Sequence, residues 1–512
     1  MAKKGKKVGK SKMANNKTKE HGKSDSDKGE KVTFNISKNG NFSDWYSEIV
    51  ARAELADLRY NIKGFVVIMP WAVQVIERMY KLWEDELQKQ GHLPCIFPAL
   101  IPESNFKKEA EHVQGFSPDV FWITNVGDSE INEKLAMRPT SETAFYQLFS
   151  LWIRSYKDLP FKRYQRANVW RYETKATRPF IRSREIYWIE THNCFATKED
   201  AEKQVLNDIA MTEKIMHKQL GIPFYAFKRP EWDKFAGAVY TIGSDCLMPD
   251  GKVLQQPSTH LLGQNFAKAF DVKFRDKDGE EKIPFTTTYG PAMSRIIASL
   301  ISVHGDDSGL ILPFCISPIQ VVIIPIIKPE NKNKVIEYCE KIKKELEKNS
   351  IICKIDDSDK KPGEKFYYWE MKGVPLRLDI GEREAKSGDL SLYLRDKKEK
   401  KNVKEKDIAE KIKEEGEAFD ERLREKADKN FEKSIVDANS IENVRKAIEQ
   451  KKIARVNFCS TAKEAGKCAE YLEKATGASV RGTRHNVKEK AVGKCISCGK
   501  KAEEVVYVAK SY

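Results

Sequence analysis

The sequence predicts an α+β protein in three folded parts: a large first domain built on an antiparallel sheet with helices inserted, an α/β domain, and a small α+β end unit carrying cysteines. Three observations carry this prediction. Residues 36–315 mix short β-rich runs and helices in no regular βα series, with one hairpin closed by Pro249-Asp250-Gly251. At Pro318-Ile-Gln-Val-Val-Ile-Ile-Pro-Ile the pattern changes to an apolar strand, a Lys/Glu-rich helix and further strands. Beyond residue 451, Cys459, Cys468, Cys495 and Cys498 cluster. The expected divisions are a tail over 1–35, a first domain over 36–315, a second over 316–410, and a helix with the end unit over 411–512.

A chain of 512 residues is too long for one core. With 40% hydrophobic and 33% charged residues it reads as soluble and globular. No apolar run is long enough to span a bilayer, and the start is neither a signal peptide nor an Arg-rich presequence, so no membrane association and a cytoplasmic location are expected. The formal charge is +15, and residues 1–31 supply +7 of it, with eleven lysines against four carboxylates. That tail has too little apolar surface to offset the entropy of ordering and is predicted to be disordered. It is either a solubilising leader or a salt-sensitive attractor of polyanions, and the rest of the chain favours the second. The ten cysteines are scattered as expected of reduced thiols.

In chain order, residues 42–60 predict an opening amphipathic helix capped by Ser43. Gly64 to Pro70 predicts a short strand, and Ala72 to Gln90 a long helix with Ile76, Met79, Trp83 and Leu87 on one face, stopped by Gly91. Leu93-Pro-Cys-Ile-Phe-Pro98 carries two prolines, which suit only an edge strand or an interface. Thr140 or Ser141 can cap a helix over Ala144 to Arg154, with Glu142 in its first turn. Another helix spans Glu199 to Leu220. The hairpin follows, and then Phe285 to Tyr289 leads into a helix over Ile296 to His304. Arg295 stands near that helix's N-terminus, where the dipole disfavours a cation unless an anion comes to meet it. In the second domain, strands are expected at 318–326, 351–355 and 375–380, with helices at 332–348 and 365–371.

The stretch Arg171-Tyr-Glu173 to His192 reads as a strand, a basic turn at 175–178 and a returning strand. A salt-bridged surface hairpin is one reading. The other rests on Trp188, Glu190 and His192, whose spacing of two puts an apolar plate, an acid and a titratable ring on one face. Neither a Gly-x-Gly-x-x-Gly fingerprint nor a Gly-x-x-x-x-Gly-Lys-Ser/Thr loop occurs, so any nucleotide would be held by arginines on a sheet. Cys495-Ile-Ser-Cys498 is a knuckle-type pair that Cys459 and Cys468 could complete as a metal site. A redox pair and unrelated thiols are the alternatives.

These segments resemble a class II aminoacyl-tRNA synthetase, specifically the prolyl branch of archaeal and eukaryotic-like type, over about residues 36–512. Helix 72–90 with Pro98 resembles motif 1, the dimer element; Arg171-x-Glu173 with its loop and returning strand resembles motif 2; Ser294-Arg295 resembles motif 3. Arg138-Pro-Thr-Ser-Glu142-Thr, Trp188-x-Glu-x-His192 and His260-Leu-Leu-Gly-Gln-Asn-Phe resemble segments particular to the prolyl enzymes. The resemblance implies activation of L-proline by ATP with Mg²⁺, transfer to tRNA(Pro), and a homodimer. Arg171 would bridge the attacking carboxylate and the α-phosphate, as a planar fork suits both. Glu173 would meet adenine, Arg182 and Arg295 the bent β/γ-phosphates, and Gln255 and Ser294 further polar contacts. For proline, Thr140 and Glu142 would take the ammonium, Phe116, Trp188 and His192 the ring, and Glu190 and His260 would complete the shell, with Arg171 alongside.

The second domain resembles the anticodon-binding domain, with Trp369, Glu370 and Lys372 as implied tRNA contacts. The end resembles a zinc-binding-like domain and favours a structural Zn²⁺ on Cys459, Cys468, Cys495 and Cys498, and the closing Lys-Ser-Tyr512 resembles the family's ending beside the catalytic domain. The interval from His192 to Arg295 is filled by a helix and a hairpin, so no inserted domain for editing alanyl-tRNA is expected. Three positions depart from the family: Ile186 replaces an adenine-stacking aromatic, Leu312-Pro-Phe-Cys a basic turn, and Glu382 a proline. The rival reading is a non-catalytic tRNA-binding paralogue, which would be expected to lose Arg171, Glu173 or Arg295 first. All three are present.

Overall fold

In the computed structural model, one eleven-stranded sheet runs through the first domain and the end unit alike. The structure describes residues 36–112, 120–173 and 176–512; the Lys-rich tail, Phe116 and Lys175 lie outside these. From its edge the sheet runs Leu93–Pro94, Phe161–Trp170, Glu185–Phe195, Phe285–Gly290, Lys252–Gly263, Tyr240–Leu247 and Tyr225–Lys228. All of these neighbours pair antiparallel except the edge strand, which is parallel to Phe161–Trp170. Pro94 is thereby kept out of a central ladder.

The helix Pro70–Lys89 starts on a proline, whose missing N–H is no loss in a first turn. It buries Ile76, Met79, Trp83 and Leu87 and docks on the sheet through Trp83 Nε1, 3.0 Å from the Tyr289 hydroxyl. Three expected helices shift. The opening helix is Phe42–Arg52, capped by Asn41 rather than Ser43, and it stops short because Glu54 takes φ +53°. The helix after Ser141 is Glu142–Trp152, and the helix bearing Arg295 is Met293–His304, which places Arg295 inside the first turn.

The second domain is a five-stranded mixed sheet in the order Cys353–Ile355, Val321–Pro325, Leu376–Ile380, Asp389–Leu394, Glu399–Lys404. The helix Lys332–Lys348 covers it with Val335, Cys339, Ile342 and Leu346. The helix Ile408–Glu432 leads on to the end unit. There Ser479–Arg484, Glu504–Ser511, Ile453–Phe458 and Ile435–Asp437 extend the first domain's sheet. The junction is a pairing of Thr483 with Lys228 and Arg484 with Phe227. It needs Gly482, at φ +122°, because a Cβ there would lie 2.1 Å from the Lys228 carbonyl oxygen. Beneath it, fully buried Asp245 accepts hydrogen bonds from Arg229 at 2.9 and 2.6 Å and from Arg481 at 2.7 Å, tying the two domains by charge. Among the described residues no helix is long and apolar enough to cross a membrane.

Candidate active site

A cleft opens over the middle of the sheet where Glu185–Phe195, Phe285–Gly290 and Lys252–Gly263 lie side by side. Strand alternation supplies its floor: Ile186, Trp188 and Glu190 from one strand, Ser258 and His260 from another. The helix Glu142–Trp152 and the residues just before it bring Glu142 and Thr140 over one end, and Met293–His304 brings Arg295 to the other. Arg171 stands between them, its Nε donating to the Pro139 carbonyl at 3.0 Å and its guanidinium 6.0 Å from the Trp188 ring centre. Trp188 lies flat across Gly290, where a Cβ would come within 3.3 Å of the indole.

One end of the cleft is acidic. Glu190 is buried, with Oε1 accepting from Gln165 Nε2 at 2.6 Å and from the Ser141 hydroxyl, and Oε2 3.2 Å from His192 Nε2. Glu142 is also buried and accepts from the Thr140 hydroxyl. Desolvation raises its pKa above the usual carboxylate value, opposed by His192 and reinforced by Glu190. A cation bound here would relieve that cost. His260 is held by Thr241 Oγ1 at 2.8 Å and Ser258 Oγ at 3.1 Å, and burial depresses its pKa to about 3, so it serves as a neutral ring.

The other end is basic. Arg295 donates to the Gln255 carbonyl at 3.3 Å, and its pKa falls to about 10 through burial and then through Arg171 and Arg182. Arg182 pairs with Glu173 at 3.1 Å and, with Arg295, Gln255 and Arg481, lines an adjoining recess that Ser511 and Tyr512 of the end unit help to wall. Arg171, Arg182 and Arg295 thus crowd one region in which Glu173 pairs with Arg182, an excess of positive charge that suits phosphate.

Not every expected residue faces the cleft. His192 shares its face with Glu190 but runs under the helix Glu142–Trp152, where Phe145 stacks on it at 4.1 Å; it backs the wall instead of forming it. Ser294 is buried. Phe116 lies outside the described residues. Phe235, Gln256 and Ser258 line the cleft without having been singled out from the sequence. Period-two spacing from His260 could have found Ser258, whereas Phe235 sits in a loop and gives no local signal.

The segment bearing Trp369, Glu370 and Lys372 is placed at the seam between the first two domains. Trp369 is 6% and Lys372 3% exposed. Trp369 Nε1 donates to Asp356 at 2.8 Å and its ring meets Trp71 edge-on; Lys372 Nζ donates to the Ala53 carbonyl at 2.9 Å and to Glu54. Glu370 lies 3.5 Å from Arg377. In the end unit the four cysteine sulfurs lie within 4.8 Å of one another. The Cys459–Cys468 edge is 3.7 Å, against about 3.8 Å for a tetrahedral zinc thiolate site. Cys495 and Cys498 sit on a knuckle closed by Gly499 N–H donating to the Cys495 carbonyl at 3.0 Å.

The fold and the cleft define a class. The family profile for the tRNA synthetase class II core domain (G, H, P, S and T) matches residues 121–304, and the anticodon binding domain profile matches 320–415. The profile for the prolyl-tRNA synthetase C-terminal domain matches 441–512. The chain is 47% identical over 480 residues to the proline–tRNA ligase of Thermofilum pendens, covering 93% of this chain and 98% of that one. With the Methanopyrus kandleri enzyme of the same name the identity is 41%, over 92% of this chain and 96% of the relative. Among solved structures, Giardia lamblia prolyl-tRNA synthetase in complex with prolyl-adenylate superposes with a TM-score of 0.90 at 38% identity, covering 94% of this chain and all of that one. The Cryptosporidium parvum enzyme, complexed with halofuginone and AMPPNP, gives 0.87 at 32% identity, over 94% and 99%. The chain belongs to the prolyl-tRNA synthetase family of class II aminoacyl-tRNA synthetases.

Proposed function

We infer that the chain activates L-proline with ATP and transfers the prolyl group to the 3′ end of tRNA(Pro). One observation carries this: Arg171 lies between a desolvated acidic pocket and a cluster of under-neutralised arginines. The chemistry needs that order. A carboxylate oxygen of proline bonds to the α-phosphorus of ATP as the bond to the bridging oxygen breaks and pyrophosphate leaves. Anion approaches anion, so positioning and neutralisation supply most of the acceleration. Arg171 is the bridge. Arg182 and Arg295 hold the departing phosphates, and Mg²⁺ bound with ATP would supply further neutralisation there. Glu173 is assigned to the adenine and Gln255 to a further polar contact.

Thr140 and Glu142 take the ammonium of proline, and Phe116 and Trp188 are assigned to its ring, with Glu190, His192 and His260 behind. A missing methylene is worth only about 1–3 kcal/mol, so alanine is rejected weakly. The second domain is assigned to the anticodon. Trp369 and Lys372 contribute there by fixing its docking, and Glu370 remains assigned to the tRNA. The adenylate in the Giardia enzyme and the nucleotide analogue in the Cryptosporidium enzyme support this reading. Two assembly features complete it. Leu93 and Ile96, 55% and 93% exposed at the sheet's edge, are assigned to a homodimer seam, which light scattering at the mass of one chain would contradict. The four thiols are assigned to a structural Zn²⁺, which metal analysis finding none would remove.

The test is charging of tRNA transcripts with labelled proline. Charging of tRNA(Pro), and not of a transcript with another anticodon, is expected. Activation of proline without any charging would restrict the function to adenylate formation.

A further inference from the structure

We propose that Gln165 is a positioning residue for this reaction, fixing the Glu190 carboxylate behind the ammonium subsite of Thr140 and Glu142 and tying it to the segment that follows the sheet's edge strand. The proposal rests on the functional reading above. Gln165 and Glu190 are directly opposed on neighbouring strands, and both are 1% exposed. The amide makes three contacts: its Oε1 accepts from the Phe97 backbone N–H at 3.0 Å, and its Nε2 donates to Glu190 Oε1 at 2.6 Å and to the Ser141 hydroxyl oxygen at 3.1 Å. The orientation follows from chemistry. A backbone N–H can only donate, so Oε1 must face Phe97, and Nε2 is left to face the carboxylate.

Phe97 is fixed from both sides, because its carbonyl accepts from Arg138 Nη1 at 2.9 Å. It also reaches the pocket by a second route. Its ring stacks on Phe145 at 4.0 Å, and Phe145 stacks on His192, a further partner of Glu190. Phe97, just beyond the edge strand, is therefore linked to Glu190 through a hydrogen-bond chain and through a ring stack.

The experiment is ATP–pyrophosphate exchange by the full chain, with KM for proline and for ATP measured separately from pH 6 to 9. Gln165→Met keeps the length and removes both amide groups; proline KM is expected to rise about tenfold or more with ATP KM within about twofold of wild type. Gln165→Glu still accepts from Phe97 but sets a second carboxylate against Glu190. A shared proton holds the pair together at low pH, and its loss as pH rises sets two anions against each other, so proline KM is expected to rise as pH rises and to recover on acidification, while wild type stays level. Gln165→Met with both KM values unchanged, or with kcat and both KM values shifted in parallel, would overturn the proposal. If Gln165→Met does not fold, a level profile for Gln165→Glu overturns it alone. A wild-type chain without proline-dependent exchange would overturn both this and the functional reading.

Discussion

The cleft and the node at Asp245 both gather arginines and carboxylates on one sheet, yet they resolve their charges differently. At the node, burial works to raise the Asp245 pKa, but Arg229 and Arg481 outweigh it and hold the carboxyl well below its usual range. There one carboxylate is shared by two guanidinium groups on strands of two domains. In the cleft, burial and the neighbouring Arg171 and Arg182 bring Arg295 down to about 10, and Glu142 is raised. Both ends of the cleft are strained in the sense that a ligand of opposite sign would relieve. The difference separates structural from functional charge: paired groups bind the fold together, and under-compensated groups await substrates.

The largest effect expected from this contrast is at Arg171. Arg171→Ala should lower proline-dependent exchange by roughly 10³-fold while leaving the melting temperature and tRNA binding near wild type. Loss of tRNA binding as well, in a filter-binding assay, would make the residue structural. The node should respond in the opposite sense. Asp245→Asn leaves two buried guanidinium groups facing a neutral amide and is expected to cost about 3–5 kcal/mol in urea unfolding. A variant as stable as wild type would show that strand pairing alone holds the end unit.

A third buried carboxylate sharpens the point, because Asp208 has no arginine. It accepts from Gln204 at 2.8 Å and Thr259 at 2.7 Å, and burial nevertheless lifts its pKa from 3.8 to about 7. An acid whose pKa is raised by folding stabilises the native state fully below its unfolded pKa and loses that contribution as pH rises through the folded one. Urea midpoints should therefore fall between about pH 4 and 7, and Asp208→Asn should flatten that part of the curve. A slope unchanged by the substitution would assign the pH dependence elsewhere. The smallest effect is at Ile186, which lines the cleft with an aliphatic side chain. Ile186→Phe is expected to lower the KM for ATP about two- to fivefold, by a stacking contact of roughly 0.5–1 kcal/mol, with proline KM unchanged. An ATP KM that rises would mean the ring has no room.

What the sequence made legible follows the range of the signal. The helix Lys332–Lys348 and the hairpin at Gly251 are where periodicity and turn chemistry put them, because both signals are local. Trp188 and Glu190 reach the cleft because strand alternation fixes which face they share. His192 obeys the same alternation, but a helix from elsewhere in the chain covers it, and no local pattern announces Phe145 above it. The joining of the end unit to the first domain's sheet was hidden for the same reason. Thr483 pairs with Lys228 across a long stretch of sequence, and only Gly482 hints that a backbone must approach closely. Trp369 and Lys372 were deceptive in a different way: aromatic and basic residues suit an RNA surface and also suit a domain seam, and only burial tells the two apart.

ATP–pyrophosphate exchange by the purified chain, run with each of the twenty amino acids in turn, tests the central claim most directly. The arrangement of Arg171 between the acidic pocket and the arginine cluster is expected to give exchange with proline far above the rest, with alanine as the weak runner-up. Exchange absent with proline, or equal across amino acids, would contradict it.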